Sequence, residues 1–329
     1  MAGDGVGRND AWHEVVALAE KLRAPVWSEP TSTRASFPQD HPLFQGHLAP
    51  SRQAVRGQLS GHDVVLVLGA AVFKYYPYTP GEFVDAGTRV VQLTDDPKEA
   101  ARAATGASVV GNVALAAESL TDSLNETSRP APPEARRPEA PEATSPISVD
   151  YLMNTLNRIL PEDAVIVNEA VSSEGRLRKH VPVTRPGSFY GSAGIGGGLG
   201  FGMAGSVGIQ LALPDRPVVG VIGEGAAMYT VQALWTAARY DIPVTYVVVN
   251  NSQYAILKSF ASGAGIKGGI PGLDLPDLDP AGIARAFGVP AETVDDPAEL
   301  EEKLKSAISS DGPFLLNVVV DPAVLSLLE

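Results

Sequence analysis

The stretch from Val218 to Phe260 constrains the fold more than any other part of the sequence. Val218–Ile222 is a short run of mainly apolar, β-branched residues that ends at Gly223, which is typical of a buried parallel strand. Thr230–Tyr240 has apolar residues at helical spacing, and Val244–Val249 is a second apolar run. This order predicts a right-handed β-α-β crossover within one parallel sheet. The helical residues predicted to pack on the sheet are Val231, Leu234, Trp235 and Ala238.

Polar residues follow both of these strands. Gly223-Glu224-Gly225 comes after the first strand and Asn250-Asn251 after the second. Open α/β sheets bind ligands at the carboxyl ends of their strands, and glycines let the backbone approach an anion closely. Carboxylate, amide and carbonyl oxygens suit Mg²⁺ or Ca²⁺, and Mg²⁺ usually also binds phosphate oxygens. The sequence therefore predicts a metal-bridged diphosphate between the strand ends, the alternative being an ordinary turn.

These residues resemble the signature of the thiamine-diphosphate-dependent enzymes. In that family, Gly-Asp-Gly is followed after a spacer by Asn-Asn, so Glu224 stands where aspartate is usual. The chain also resembles benzoylformate decarboxylase and its relatives over nearly its whole length. The stretches that carry this second resemblance are His62–Val67, Pro80-Gly81, Leu234–Ala238 and Pro271–Asp274.

The resemblance implies a set of cofactor and metal ligands. Mg²⁺ would be held by the side chains of Glu224 and Asn251 and by the carbonyl of Gln253, although Glu224 is one methylene longer than aspartate and Mg²⁺ demands near-ideal geometry. Ser172 could donate to phosphate oxygens or equally cap the following helix. The residues predicted to contact thiamine diphosphate are Val171, Ser172, Gly197, Leu199, Gly223, Gly225, Ala226, Ala227 and Tyr254.

Three further residues are predicted by resemblance to shape the substrate pocket. Leu257 and Phe260 would face the substrate, the alternative being plain core packing. Tyr76, in the aromatic run Phe73–Tyr78, falls where benzoylformate decarboxylase carries an active-site histidine. Imidazole transfers protons near neutral pH, whereas a phenol with a pKa of about 10 does so poorly. This departure counts against that exact activity, and the aromatic run could instead be a packed surface loop.

The sequence predicts the α/β class with two domains, each a mostly parallel sheet flanked by helices. Residues 1–126 would form a Rossmann-like middle domain that begins after its first strand, and residues 149–329 a pyrophosphate-binding domain. Residues 127–148, rich in Pro, Ala and Glu, predict a semi-rigid or disordered linker. Further predicted elements are the helices Ala11–Arg23, Val149–Leu160 and Met203–Leu211, and the strands Asp63–Leu68, Thr88–Leu93, Ser108–Val113 and Ala164–Val167.

Composition excludes several functional classes. The net charge of −13 argues against a general nucleic-acid binder. No apolar run is long enough to span a bilayer, and the first residues lack the features of a signal peptide. The absence of cysteine excludes disulfides, thiolate metal sites and a cysteine nucleophile. We therefore expect a cytoplasmic protein with neither nucleic-acid nor membrane partners.

The resemblance also implies what this chain lacks. Full-length relatives carry a third, pyrimidine-binding domain, whose glutamate protonates the cofactor ring, and the cofactor then acts as an electron sink while CO₂ leaves. We expect non-oxidative decarboxylation of an aromatic or bulky 2-oxo acid by a homo- or hetero-oligomer, with a separate pyrimidine-domain polypeptide completing the site. The alternatives are an acetolactate-synthase-like carboligase and a non-catalytic scaffold or regulatory partner.

Overall fold

The computed structural model describes residues 1–76, 78–136, 138–192, 198–266 and 268–324. Backbone contacts divide the chain into two compact units. The first holds the described residues of Met1–Arg137 and Val183–Phe189. The second holds the described residues of Pro138–Pro182, Tyr190–Ser192 and Gly198–Glu329. Both contain parallel strand pairings with helices around them, so the predicted α/β class is confirmed.

The first unit contains two small parallel sheets. Its helices are α1 Asp4–Arg8, α2 Trp12–Leu22, α3 Arg52–Gln58, α4 Pro97–Ala101 and α5 Val113–Ser123. Its strands are β1 Val26–Ser28, β2 Phe44–His47, β3 Val64–Leu68, β4 Arg89–Thr94 and β5 Ala107–Val110. Strand β1 pairs with β2, and β3, β4 and β5 form the other sheet in that order. Strand β5 ends earlier than predicted because Asn112 caps α5, its side chain accepting the Leu115 N–H at 3.0 Å.

Strand β3 is a continuous apolar run because both of its faces are covered. Leu66 and Leu68 contact the cluster that α2 and α5 contribute to, whereas Val65 and Val67 belong to a second cluster with Phe73. Successive side chains of a strand point to opposite faces, so two covered faces require apolar residues at every position.

The second unit is built on a six-stranded sheet. Its helices are α6 Val149–Ile159, α7 Glu174–His180, α8 Phe201–Ala212, α9 Glu224–Ala227, α10 Ala233–Arg239, α11 Ala255–Gly263, α12 Pro280–Ala286 and α13 Leu300–Ile308, with a 3₁₀ turn at Val171–Ser173. Its strands are β6 Val165–Glu169, β7 Phe189–Gly191 (of which Tyr190 and Gly191 belong to this unit), β8 Val218–Gly223, β9 Val244–Asn250, β10 Ala291–Val294 and β11 Phe314–Val319. The strand order is β10-β11-β9-β8-β6-β7.

The predicted crossover is present, with one correction. Strands β8 and β9 are parallel neighbours in which Val218 lies opposite Val244. Trp235, predicted to pack on the sheet, is 54% exposed, and α10 is instead buried through Ala233, Leu234 and Ala237. Small side chains four residues apart let a short helix lie close to the sheet, and a bulky indole on that face would hold it away.

Strands β6, β8 and β9 are adjacent and parallel, so their carboxyl ends meet at one edge of the sheet. Glu169 ends β6, Glu224 follows β8, and Asn250 ends β9. This edge therefore collects carboxylate and amide groups from three separate parts of the sequence. Among the described residues, no helix is both long and apolar enough to cross a membrane.

Candidate functional site

Glu224 is a buried carboxylate at the carboxyl end of β8. Its side chain Oε1 accepts the Gln253 N–H at 3.0 Å, and the residue is only 3% exposed. Burial raises the pKa of Glu224, while backbone N–H groups, including those of Asn251 and Ser252, act in the opposite direction. None of the ion pairs found among the described residues involves Glu224. The carboxylate therefore faces N–H dipoles without a basic side chain.

The two adjacent asparagines have different roles. Asn250 shapes the turn: its Oδ1 accepts the Ser252 N–H at 3.0 Å, and its Nδ2 donates to Asn317 Oδ1 at 3.1 Å. Asn251 Oδ1 instead accepts the Gln253 N–H at 3.3 Å. Because Glu224 accepts the same N–H, the side chains of Glu224 and Asn251 converge on one point.

The Gln253 carbonyl is the third predicted metal ligand. Gln253 faces Asp274 across an antiparallel bridge whose hydrogen bonds run through the residues on either side of it. Within the described residues, no donor is bonded to the Gln253 carbonyl. The Gln253 side chain is held elsewhere, since it donates to the Pro322 carbonyl and accepts from Lys258 at 2.5 Å. The carbonyl thus remains available as a ligand.

These groups match the ligand preference of Mg²⁺. A carboxylate, an amide oxygen and a backbone carbonyl are hard oxygen donors, and Mg²⁺ usually takes only one or two carboxylates from the protein. No group of three His, Cys, Asp or Glu residues that could hold a metal occurs in the described part of the chain. A cation at this edge would therefore depend on the mixed set formed by Glu224, Asn251 and Gln253.

The turn after β6 lies beside the asparagine loop. Val171 and Ser172 are half-buried in the 3₁₀ turn, and Ser172 and Asn251 line the same small cavity of about 100 Å³. The neighbouring Ser173 occupies the N-cap position of α7, but its side chain makes no capping hydrogen bond. The structure therefore brings Ser172 next to a predicted metal ligand.

The glycines flanking Glu224 have different surroundings. A Cβ on Gly225 would lie 2.5 Å from Cε1 of Tyr254, so the missing side chain makes room for the tyrosine ring. A Cβ on Gly223 would meet only the Glu169 carbonyl oxygen, at 3.9 Å. Gly225 and Tyr254, both predicted cofactor contacts, therefore contact each other, while Gly223 faces more open space.

The other predicted cofactor residues lie close to the core. Ala226 and Ala227 are buried in α9, where they join the main apolar cluster of the second unit. Leu199 is half-buried and packs against the same cluster. Gly197 lies outside the described residues.

Glu169 is a buried carboxylate for which the sequence predicted no role. Its Oε1 accepts the N–H groups of Gly200 and Phe201, both at 3.0 Å, and its Oε2 accepts that of Gly202 at 2.9 Å. Burial raises the pKa of Glu169, and these three N–H groups oppose that rise. Glu169 thus anchors the start of α8. The available signal was an acidic residue at a strand end with a glycine-rich run later in the chain.

The predicted substrate residues belong to different units. Leu257 and Phe260 lie on α11, three residues apart and therefore on one face; Leu257 is 48% exposed and Phe260 is half-buried. Tyr76 belongs to the first unit, where it is 53% exposed and its N–H donates to the Pro50 carbonyl at 2.7 Å. The structure brings the two apolar residues together on one helix.

Two family descriptions match the chain. Residues 170–318 match the thiamine pyrophosphate enzyme C-terminal TPP binding domain, and residues 1–120 match the thiamine pyrophosphate enzyme central domain. The chain belongs to the thiamine pyrophosphate enzymes. Glu224, Asn251 and Gln253 fall within the part that matches the TPP binding domain, whereas Glu169 lies one residue before it.

Individual relatives agree with this assignment. Benzoylformate decarboxylase of Pseudomonas aeruginosa is 40% identical over 316 residues, which are 96% of this chain and 59% of the relative. The Rhodococcus jostii RHA1 thiamine diphosphate-dependent 4-hydroxybenzoylformate decarboxylase superposes with a TM-score of 0.93 at 38% identity, covering 98% of this chain and 61% of that one. Benzoylformate decarboxylase of Polynucleobacter necessarius gives a TM-score of 0.92 at 31% identity, with coverages of 98% and 61%.

The matches cover only part of the length of each relative. The chain spans about three fifths of the length of the relatives named above. Acetolactate synthases match as well: the isozyme 2 large subunit of Escherichia coli is 29% identical over 183 residues, which are 53% of this chain and 32% of that subunit. The chain is thus similar both to benzoylformate decarboxylases and to acetolactate synthases.

Proposed function

We propose that this chain supplies the pyrophosphate-binding part of a thiamine-diphosphate-dependent enzyme that decarboxylates a 2-oxo acid with an aromatic or bulky side chain. The observation that carries the proposal is the convergence of Glu224 and Asn251 on the Gln253 N–H. The similarity to two solved benzoylformate-type decarboxylases supports this reaction class.

The chain's own residues would bind and orient the cofactor. Glu224, Asn251 and the Gln253 carbonyl would hold Mg²⁺, and Ser172 and Gly223 would lie against the diphosphate. When bound, thiamine diphosphate supplies the nucleophilic carbon and the electron sink that decarboxylation requires. Burial of Glu224 keeps water away from the carboxylate, which strengthens its attraction for a cation. The surrounding N–H groups favour the ionised form and oppose the rise in pKa that burial causes.

The substrate side chain would rest on the apolar face of α11. Leu257 and Phe260 offer an aliphatic and an aromatic surface there. A pyrimidine-domain polypeptide would provide the glutamate that this proposal leaves unassigned, and the working enzyme would be an oligomer. Tyr76 would take the place of the histidine of benzoylformate decarboxylase, so proton transfer would depend on other groups near neutral pH.

A carboligase is the second candidate, because an acetolactate synthase subunit is among the relatives. Both reactions begin with loss of CO₂ from a 2-oxo acid and differ in what accepts the remaining carbon fragment. A product analysis therefore separates them: the decarboxylase releases an aldehyde, whereas the carboligase forms a hydroxy ketone or hydroxy acid.

Calorimetric titration tests the cofactor site directly. The chain is titrated with thiamine diphosphate in the presence of Mg²⁺, of EDTA, or of a candidate pyrimidine-domain partner. We expect metal-dependent binding that tightens when the partner is present, followed by CO₂ release from benzoylformate. Absence of binding even with the partner would contradict the proposal and favour a scaffold role. Binding with release of CO₂ from pyruvate alone would favour the carboligase.

A further inference from the structure

A short antiparallel contact holds the turn that contains two of the proposed metal ligands. We call residues 251–254 the ligand turn and residues 271–275 the backing loop. Two backbone hydrogen bonds of 2.8 Å join them, one on each side of Gln253. They run from the Tyr254 N–H to the Leu273 carbonyl and from the Leu275 N–H to the Ser252 carbonyl. Because backbone groups alternate in direction along an extended chain, those of Gln253 itself point away from the backing loop.

The backing loop includes Pro271–Asp274, one of the stretches that resembles benzoylformate decarboxylase. Gly272 has a φ of +80°, a left-handed backbone conformation that residues with a side chain rarely adopt. The chain turns at this glycine and then runs antiparallel to the ligand turn, which places Asp274 opposite Gln253. This stretch therefore supports the ligand turn from behind.

Lys258 joins the two segments through its side chain. It lies in α11, where its N–H donates to the Tyr254 carbonyl at 3.2 Å, one helical turn after the ligand turn. Its Nζ donates to Gln253 Oε1 at 2.5 Å and also to Asp274 Oδ1. The Gln253 side chain in turn donates to the Pro322 carbonyl. The amide of Gln253 is therefore held at both its oxygen and its nitrogen.

The Lys258–Asp274 ion pair alone would contribute little. The Asp274 side chain is 74% exposed, and ion pairs in contact with water stabilise a protein only slightly. Gln253 differs, because the residue is buried and its N–H is the point on which Glu224 and Asn251 converge. Lys258 thus holds the residue at the centre of the proposed metal site.

We propose that Lys258 is a positioning residue for Mg²⁺ binding. It acts through Gln253: by fixing the side chain of this residue, it keeps the Gln253 carbonyl in place as a metal ligand. Groups that orient a metal ligand commonly change metal affinity by about 10- to 100-fold. This inference rests on the proposed function, because it concerns the same cation.

The sign of the effect separates positioning from simple charge. Lys258 carries a positive charge near the proposed cation site, and like charges repel each other. If charge alone mattered, Lys258→Met would bind Mg²⁺ more tightly than the parent chain. If Lys258 positions the Gln253 carbonyl, the same variant should bind Mg²⁺ more weakly, because the carbonyl is no longer fixed.

Calorimetric titration of the full 329-residue chain with Mg²⁺, in the presence of thiamine diphosphate, tests the proposal. We expect Lys258→Met to weaken Mg²⁺ binding about tenfold, and Lys258→Arg, which keeps a charged donor, to stay within about threefold of the parent. The matched control is Lys303→Met, because the Lys303 side chain is 34% exposed and pairs with Glu292 of β10 at 2.6 Å. The control should leave Mg²⁺ affinity unchanged. Unchanged or tighter binding by Lys258→Met would overturn the proposal, as would an equal loss in Lys258→Arg.

Hydrogen exchange on the metal-free chain gives a second measurement. We expect Lys258→Met to speed exchange of the Gln253 and Leu275 amides at least about tenfold, because the ligand turn loses its side-chain anchor. The amide of Val247, in the middle of β9, is the internal reference and should be unaffected. Unchanged exchange of the Gln253 and Leu275 amides would reject the positioning role.

Failure of this inference can be told from failure of the proposed function. Absence of Mg²⁺ binding by the parent chain would contradict the proposed function and, with it, the metal part of this inference. Binding by the parent that Lys258→Met leaves intact would contradict only the positioning role. Lys258→Arg with the parent's amide exchange and Mg²⁺ affinity, beside a weakened Lys258→Met, would support both.

Discussion

Each unit contains a buried glutamate directly after a strand, but the two carboxylates have different kinds of partner. Glu29 directly follows β1 and is 1% exposed; its Oε2 lies 2.9 Å from Lys74 Nζ, and its Oε1 accepts the Asp4 N–H at 2.7 Å. Glu224 directly follows β8 and is nearly as buried, yet its partners are backbone N–H groups. One carboxylate thus has a cation supplied by its own chain, and the other has none among the described ion pairs.

This difference shows how a ligand site can be told from a structural ion pair. A buried carboxylate is costly unless it is paired or hydrogen-bonded. Lys74 meets that requirement for Glu29 inside the fold. Glu224 has only partial compensation from N–H dipoles, and it lies beside Asn251 and an available carbonyl. The partly compensated carboxylate of Glu224 is therefore a place where an external cation would stabilise the protein.

The largest expected effect is the loss of stability on replacing Glu169, a buried carboxylate whose hydrogen-bond partners are backbone N–H groups. Replacing Glu169 by Ala removes the acceptor of three N–H groups at the start of α8. We expect the free energy of unfolding to fall by about 4 kcal/mol, because charge-assisted bonds are lost and buried donors are left unpaired. Urea denaturation measures this free energy. The control is Glu169→Gln, which keeps one acceptor oxygen and should lower the free energy of unfolding by about half as much. A loss below about 1 kcal/mol for Glu169→Ala would contradict this role.

The second prediction is that Mg²⁺ affinity depends on Glu224 and not on Glu29. Glu224→Gln should weaken Mg²⁺ binding about 100-fold, because the charged ligand of the proposed site is lost. Glu29→Gln is the matched control and should leave Mg²⁺ affinity unchanged, since Lys74 already pairs with Glu29. Calorimetry in the presence of thiamine diphosphate measures both. Equal losses in the two variants would show that the effect is not local to the proposed site.

The pH dependence of stability examines Glu29. Burial raises the pKa of Glu29 to about 7, the charge of Asp4 adds to the rise, and Lys74 opposes it. The folded state therefore holds a proton that the unfolded state releases near pH 4.5. Its stabilising contribution is complete below pH 4.5 and is lost as pH rises through about 7.

The expected loss over this range is up to about 3 kcal/mol. Glu29→Gln should remove it, so the difference between parent and variant in urea denaturation should change steadily between pH 4.5 and 7. The exposed Glu82→Gln serves as control and should follow the parent. A parent-minus-variant difference that stays constant across this range would refute the raised pKa.

The smallest effect concerns the glycine that admits the Tyr254 ring. Gly225→Ala places a methyl group 2.5 Å from that ring, which has to move, so we expect a loss of about 1 kcal/mol. Gly208→Ala, a helical position with no heavy atom within 4 Å of the added Cβ, should instead gain about 0.5 kcal/mol. Thermal denaturation compares the two. A gain in stability for both variants would show that the Tyr254 ring moves aside at little cost in free energy.

Apolar runs predicted most of the regular elements correctly. The runs around Val64–Leu68 and Val244–Asn250 form strands within a residue of the expected bounds, because burial of both sheet faces leaves a strong local pattern. The short strand β10 was not predicted. Its first three residues are at least partly exposed, so it has no continuous run of apolar residues. Trp235 was assigned to the wrong face, since spacing identifies a periodic helix but not which of its sides approaches the sheet.

By itself, the sequence determined that Glu224 and Asn251 come directly after two strands, which form a parallel pair through a helical crossover. That follows from local patterns of apolar residues and glycine. Only the tertiary structure decided that both side chains meet at the Gln253 N–H and that Tyr254 covers Gly225. Hydrogen-bond partners join residues far apart in the chain, so they depend on how loops are held by packing and leave no periodic trace in the sequence.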